Sequence, residues 1–125
     1  STKIFSDTTL LKKLNAIIHP AVIKDFKAFA NSYPGTLIIK ESALLFEVGL
    51  DKELDKIILV TSPLELRIER VMKRDGLSRE EIMNKIKSQL SDEEKLKLTD
   101  LVVNNNEKEF LITQALDVFK KLNHV

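Results

Sequence analysis

Arg70 and Arg74 stand four positions apart in the stretch RIERVMKRD, residues 67–75. On a helix that spacing puts both guanidinium groups on one side. A guanidinium keeps its charge when desolvated and presents a planar fork of N–H donors, which matches the oxygens of a phosphate. The stretch closes on Asp75-Gly76, a helix stop, and Ser78 with Glu81 forms a capping box for a following helix. A basic helix joined in this way to a second helix could act as a mobile lid with arginines at its hinge. The same residues also describe a solvated charged helix with Glu65 or Glu69 in surface ion pairs, because charge is common on helix surfaces.

Three further groups could carry chemistry. Glu41 and Glu47 bracket Ser-Ala-Leu-Leu-Phe just past an apolar run. Acidic groups outside the carboxyl end of a strand can hold magnesium or orient a substrate, or they can simply solvate a loop. Asn104, Asn105 and Asn106 follow another apolar run. Amide side chains and turn backbone can read the edge of a purine, and the same residues make ordinary turns. His19, just before Pro20, can bind an anionic ligand or satisfy backbone groups at a helix bend.

Elements must hold these groups in place, and the hydrophobic pattern supplies an α/β set. Residues 36–40 (TLIIK), 56–61 (KIILVT) and 101–103 (LVV) are short, nearly continuous apolar runs rich in β-branched side chains. That is the pattern of parallel strands buried on both faces. Leu10, Leu11, Leu14, Ile17 and Ile18 share one helix face over residues 9–18. The His19-Pro20 step is expected to end or bend that helix, with Pro20 opening a second one through Val22, Ile23, Phe26 and Phe29. Pro63 opens a helix that runs to about Arg74. Ser91 with Glu94 repeats the capping box, so two short helices separate near Leu90. A last helix is expected from about Glu107 to Leu122. Helices alternating with buried strands make an α/β fold.

Composition narrows the function classes. Hydrophobic residues are 43% and charged residues 31% of the chain, as in globular domains. A net charge of +1 gives no electrostatic reason to propose a nucleic-acid or membrane surface. No apolar run approaches the roughly 20 residues of a membrane helix, and the opening residues lack a signal-peptide pattern. The absence of cysteine excludes disulfides and thiolate metal sites and fits a cytoplasmic setting. His19 and His124 do not by themselves suggest a zinc site.

Taken in order, these pieces resemble the dephospho-coenzyme A kinases, a branch of the P-loop kinases. The family's arginine-led start near Ile-Phe corresponds to Lys3-Ile4-Phe5, and its Leu-Asn-x-x-x-His-Pro to Leu14-Asn15 through His19-Pro20. Its Pro-Leu-Leu-Phe-Glu corresponds to Ala43-Leu44-Leu45-Phe46-Glu47, and its lid motif Arg-x-x-x-Arg-Asp to Arg70 through Arg74-Asp75. The glutamine of its next lid helix is matched by Gln89. Its Ala-Asp-x-Val-Ile-x-Asn-Asn-Gly is matched by the run from Thr99-Asp100 to Asn105-Asn106-Glu107. The order and spacing hold over almost all of the chain, and the ordered set is specific where no single motif is. Ala43 replaces a proline, and Glu107 replaces a turn glycine, which implies a changed turn. Glu41 falls at a variable position, so a metal role for it stays open.

The resemblance implies a three-layer parallel sheet of P-loop kinase type, incomplete in these 125 residues. Residues 8–33 would be a helical coenzyme-binding part, 36–61 core strands, 63–98 the lid region, and 100–125 a core strand with the C-terminal helix. The implied activity is ATP-dependent phosphorylation of the ribose 3′-hydroxyl of dephospho-CoA, with Mg2+, in the cytoplasm and with no nucleic-acid or membrane partner. By the same resemblance Arg70 and Arg74 close over the ATP phosphates and Asn105 lies by the adenine. His19, Leu45, Phe46 and Glu47 would serve the dephospho-CoA side, and metal ligands stay unassigned. The family's phosphate loop, G-x-x-x-x-G-K-[ST], has no counterpart around Gly35, Gly49 or Gly76. These residues alone are therefore expected to be inactive. Residues 36–40 and 56–61 are expected to await a strand from an N-terminal segment outside this sequence, or from another copy. A non-catalytic binding or regulatory role and a related nucleotide kinase are the alternatives.

Overall fold

A computed structural model describes residues 8–122, so Lys3-Ile4-Phe5 and His124 lie outside the described residues. The chain divides between Glu41 and Ser42 into two compact units. Among the described residues the first is built on one helix, α1 (Thr8–Asn31), with Pro20 inside it. The helix therefore does not end at His19-Pro20. Proline removes one backbone donor and costs a helix interior about 3 kcal/mol. Against that, an apolar ladder of Leu14, Ile18, Val22, Phe26 and Ala30 continues in steps of four past the proline, and a continuous stripe outweighs a two-residue signal. The segment after α1 doubles back along it. The Lys40 ammonium lies 4.2 Å from the centroid of the Phe26 ring, and the rings of Phe29 and Tyr33 are 5.1 Å apart.

Residues 37–40 belong to no ladder among the described residues, which corrects the expected strand at 36–40. A strand is defined by the backbone groups of a neighbour, and apolar content alone does not supply them.

The second unit opens with turns over residues 43–49 and a short 3-10 turn (Asp51–Glu53). There follow β1 (Ile58–Thr61), α2 (Leu64–Asp75), α3 (Arg79–Lys87), α4 (Asp92–Leu96), β2 (Leu101–Asn104) and α5 (Leu111–Leu122). β1 and β2 pair in parallel, with Ile58 opposite Leu101 and Thr61 opposite Asn104. Side chains pin both ends of this short ladder. At its start Asp100 accepts from the Ile57 N–H at 2.8 Å and from the Lys56 ammonium at 2.9 Å. At its finish the Thr61 hydroxyl donates to the Asn104 side-chain oxygen at 2.9 Å, and the Asn105 N–H reaches the Thr61 carbonyl at 2.8 Å.

The helices start and stop where the sequence signals stand. α2 begins just past Pro63 and ends at Gly76, whose φ of 68° lies in the left-handed region that glycine enters cheaply. Both capping boxes form, Ser78 with Glu81 on α3 and Ser91 with Glu94 on α4. α2 packs on α3, and each contributes a buried isoleucine, Ile68 and Ile82. α5 starts later than expected. The Asn106 side-chain oxygen accepts from the N–H groups of Lys108 and Glu109, at 3.0 and 3.1 Å, and this turn takes the residues expected to open the helix.

The sheet is less covered than the apolar runs suggest. The register sets Val60 beside Val103 and Val102 beside Leu59, so Val60 and Val102 belong to opposite faces. They are nevertheless 61% and 40% exposed. α4 packs against β1 and α5 against β2, and these contacts leave one valine on each face uncovered.

Asp100 gives this unit a pH dependence. The Ile57 N–H, and after it the Lys56 side chain, hold its carboxyl below the usual aspartate range. A depressed folded value means that its contribution is complete above the unfolded value of about 3.9 and is lost as pH falls through the folded one. In urea unfolding of the full-length protein, Asp100→Asn should lower the midpoint at pH 7 and flatten its fall below about pH 4. Superimposable pH profiles for the two proteins would show that Asp100 does not pin the strand.

Candidate functional site

The groups that could meet a ligand gather where β1 and β2 end. β1 runs out at Thr61 and passes through Ser62-Pro63 directly into α2. β2 runs out at Asn104 into the Asn105–Asn106–Glu107 turn. The carboxyl ends of parallel strands are where α/β folds take their ligands. An open hollow of about 360 Å³ lies there, lined by Thr61, Ser62, Pro63, Asp92, Asn104 and Asn106 among others.

Arg70, two turns into α2, spans the two strand ends. Its Nη1 donates to Ser62 Oγ at 3.4 Å and to the Asn105 carbonyl at 3.3 Å, and its Nη2 to Glu107 Oε1 at 3.0 Å. The first two are long and go to neutral acceptors, and the third pairs opposite charges. The Arg70 side chain is about one-third exposed, so it is held in position and still reachable.

Arg74 does not join it. Its guanidinium makes two bonds to the adjacent Asp75, at 2.7 and 3.0 Å, and its side chain is 74% exposed. That contact holds the Asp75 carboxyl below the usual carboxylate range. Helical spacing puts the two arginines on one side of α2, yet they bond to different partners.

Arg67 takes a third role that the spacing did not suggest. It forms a fork-to-fork pair with Asp92 at 3.1 and 2.7 Å, tying α2 to the first residue of α4. Its Nε is buried with no partner.

Glu47 Oε1 accepts from the Leu90 N–H at 2.8 Å, which satisfies a backbone donor at the step between α3 and α4. Leu45 and Phe46 are half-buried in the turns before it, where the Leu45 carbonyl accepts from the Leu50 N–H at 3.0 Å. Gln89 accepts from the Lys95 ammonium at 3.1 Å. His19 is half-buried on α1 in the first unit, and Glu41 is exposed at that unit's edge. Among the described residues no group of three His, Asp or Glu converges closely enough to hold a metal ion, and no helix is long and apolar enough to cross a membrane.

Four contributors escaped the sequence reading. Ser62 and Asp92 gave no signal beyond standing after a strand and at a helix start. Glu107 was read as a sign of a changed turn. It instead keeps a left-handed backbone, with φ of 65°, and turns its carboxylate to Arg70. Gln114 on α5 brackets the last residue of β2: its Oε1 accepts from the Asn104 N–H at 2.7 Å and its Nε2 donates to the Asn104 carbonyl at 3.0 Å. A lone glutamine on an amphipathic helix carries no such message in sequence.

Comparison with known proteins bears on the family and the fold. The family model for dephospho-CoA kinase matches residues 1–110. The chain is similar to the dephospho-CoA kinase of Fusobacterium nucleatum, 41% identical over 119 residues, covering 95% of this chain and 58% of that protein. Similarity to the Bacteroides fragilis enzyme of the same name is 41% over 119 residues, covering 94% and 58%. Among solved structures, TT1252 from Thermus thermophilus superposes with a TM-score of 0.85 at 36% identity, over 96% of this chain and 63% of that one. The chain thus spans a little over half the length of these curated relatives.

Gln114 offers a direct test of how the strand end is held. Gln114→Leu removes both bonds to Asn104, each worth about 1 kcal/mol. Hydrogen exchange at the Asn104 amide should then accelerate about five-fold or more while amides in α3 stay unchanged. Unaltered exchange at Asn104 would mean that the ladder holds its own end.

Proposed function

The chain belongs to the dephospho-CoA kinase family, and from that premise we propose that the whole protein moves the terminal phosphate of ATP onto the ribose 3′-hydroxyl of dephospho-CoA. The observation that supports this reading best is Arg70, a charged fork held at the ends of two parallel strands by Ser62 and the Asn105 carbonyl. Phosphoryl transfer depends on positioning and on stabilising charge over the phosphoryl oxygens, and a fixed guanidinium supplies both without reorganising.

In this reading Arg70 binds phosphate oxygens of ATP. Arg74, one turn further along α2, exchanges Asp75 for the same phosphates when the lid region, residues 63–98, closes. Asn105 lies by the adenine. The dephospho-CoA side belongs to His19 within the helical part, residues 8–33, and to Leu45, Phe46 and Glu47. Glu47 is engaged by a backbone N–H, which favours a positioning role for it over a proton-accepting one. The described acidic residues do not fit a resident metal cage; magnesium carried on the ATP phosphates would draw few protein ligands, and no step here runs through it. The whole protein is proposed to act in the cytoplasm, with ATP and dephospho-CoA as its partners and neither nucleic acid nor membrane among them.

These 125 residues contain no G-x-x-x-x-G-K-[ST] stretch, and by themselves they are proposed to be inactive. The sheet has two strands among the described residues, which supports a further proposal, that an N-terminal segment or another copy completes it at an edge. A purely binding role is the second reading, favoured by the same missing stretch.

Steady-state kinetics of the full-length protein separate the roles. Arg74→Ala should lower kcat by on the order of 10²-fold with little change in KM for dephospho-CoA. His19→Ala should raise KM for dephospho-CoA and leave KM for ATP near its parent value. An unchanged kcat would make Arg74 ordinary surface charge, and equal losses for both substrates would make His19 a structural residue of α1.

A further inference from the structure

Glu107 adopts a backbone conformation that side chains disfavour, φ of 65°, at the turn that follows β2. From that turn its carboxylate reaches Arg70. The 3.0 Å contact is the shortest bond this guanidinium makes among the described residues and the one to a charged acceptor, beside two longer bonds to neutral acceptors. The two partners differ in freedom. The Arg70 side chain is 36% exposed and anchored at both strand ends, whereas the Glu107 side chain is 65% exposed with solvent to turn into.

We infer that Glu107 is a displaceable counter-ion for Arg70, holding the phosphate-binding fork in place and giving it up to the phosphates of a nucleoside triphosphate. This rests on the proposed role of Arg70 and adds a residue that sets how tightly the nucleotide binds. A carboxylate that must leave before a phosphate enters weakens binding by what its own ion pair was worth, and for an exposed pair that is modest. Glu107 in this sense is a positioning residue. The other arginines of α2 illustrate the contrast. Arg67 is closed by a bidentate pair with Asp92, and Arg74 by its own neighbour Asp75. Arg70 alone of the three has a single carboxylate bond, made by the residue at the strained turn.

The test is ATP binding to the full-length protein by calorimetry, with two variants at this position and one at Arg70. Glu107→Gln keeps the side chain's size and the backbone strain and removes the charge, and it should tighten Kd for ATP by about two- to five-fold. Glu107→Gly should tighten it at least as much. In an Arg70→Ala background the Glu107→Gln change should have no effect, because its target is gone. If Arg70→Ala weakens ATP binding and Glu107→Gln leaves it unchanged or weaker, the counter-ion role is overturned while the phosphate role of Arg70 stands. Tightening by Glu107→Gly alone would trace the effect to the backbone and also overturn it. If Arg70→Ala itself binds ATP as well as the parent, the reading of Arg70 falls and this inference falls with it.

Discussion

The register of β1 against β2 decides where the groups at the two strand ends stand. Thr61 lies opposite Asn104, so the residues that follow, Ser62 on one strand and Asn105 on the other, emerge side by side. Arg70 can touch both only because of that alignment. A slip of one residue would turn each strand's side chains to the opposite face. Asp100 fixes the start of the ladder through the Ile57 N–H, and Gln114 brackets its last residue from α5. The reach of α2 over the strand ends follows from Pro63 opening the helix immediately after the strand.

The ion pairs in this site are all at least partly exposed, and solvent screening leaves such pairs little to contribute to stability. They do not hold the fold together. Their value lies in direction: Arg67 is committed to α4, Arg74 to the adjacent residue, and Arg70 to the strand ends, where one exposed carboxylate occupies it. Three arginines on one helix therefore have three distinct environments, and only Arg70 combines anchoring with access.

Much of this was legible in the residues. Pro63, Gly76 and the two Ser-x-x-Glu boxes act through local backbone chemistry, so their effects appear where the sequence marks them. The apolar runs at residues 58–61 and 101–104 pair as parallel strands, as their β-branched content suggested. What was misread depends on partners distant in sequence. Residues 36–40 have strand-like composition and, among the described residues, no strand neighbour to pair with. The His19-Pro20 step signals a local stop or bend, while α1 runs on through it to Asn31. Glu107 was recognised as standing where a glycine is usual. That its carboxylate meets Arg70, 37 residues earlier, could not be read from a one-dimensional pattern.

Arg70 as the phosphate ligand at the strand ends is the claim on which the functional reading turns. The most direct measurement is a crystal structure of the full-length protein with a non-hydrolysable ATP analogue. The account predicts Arg70 bonded to phosphate oxygens at about 2.7–2.9 Å, still anchored by the Asn105 carbonyl, with the Glu107 carboxylate turned to solvent. A triphosphate bound away from the ends of β1 and β2, with Arg70 still paired to Glu107, would contradict it.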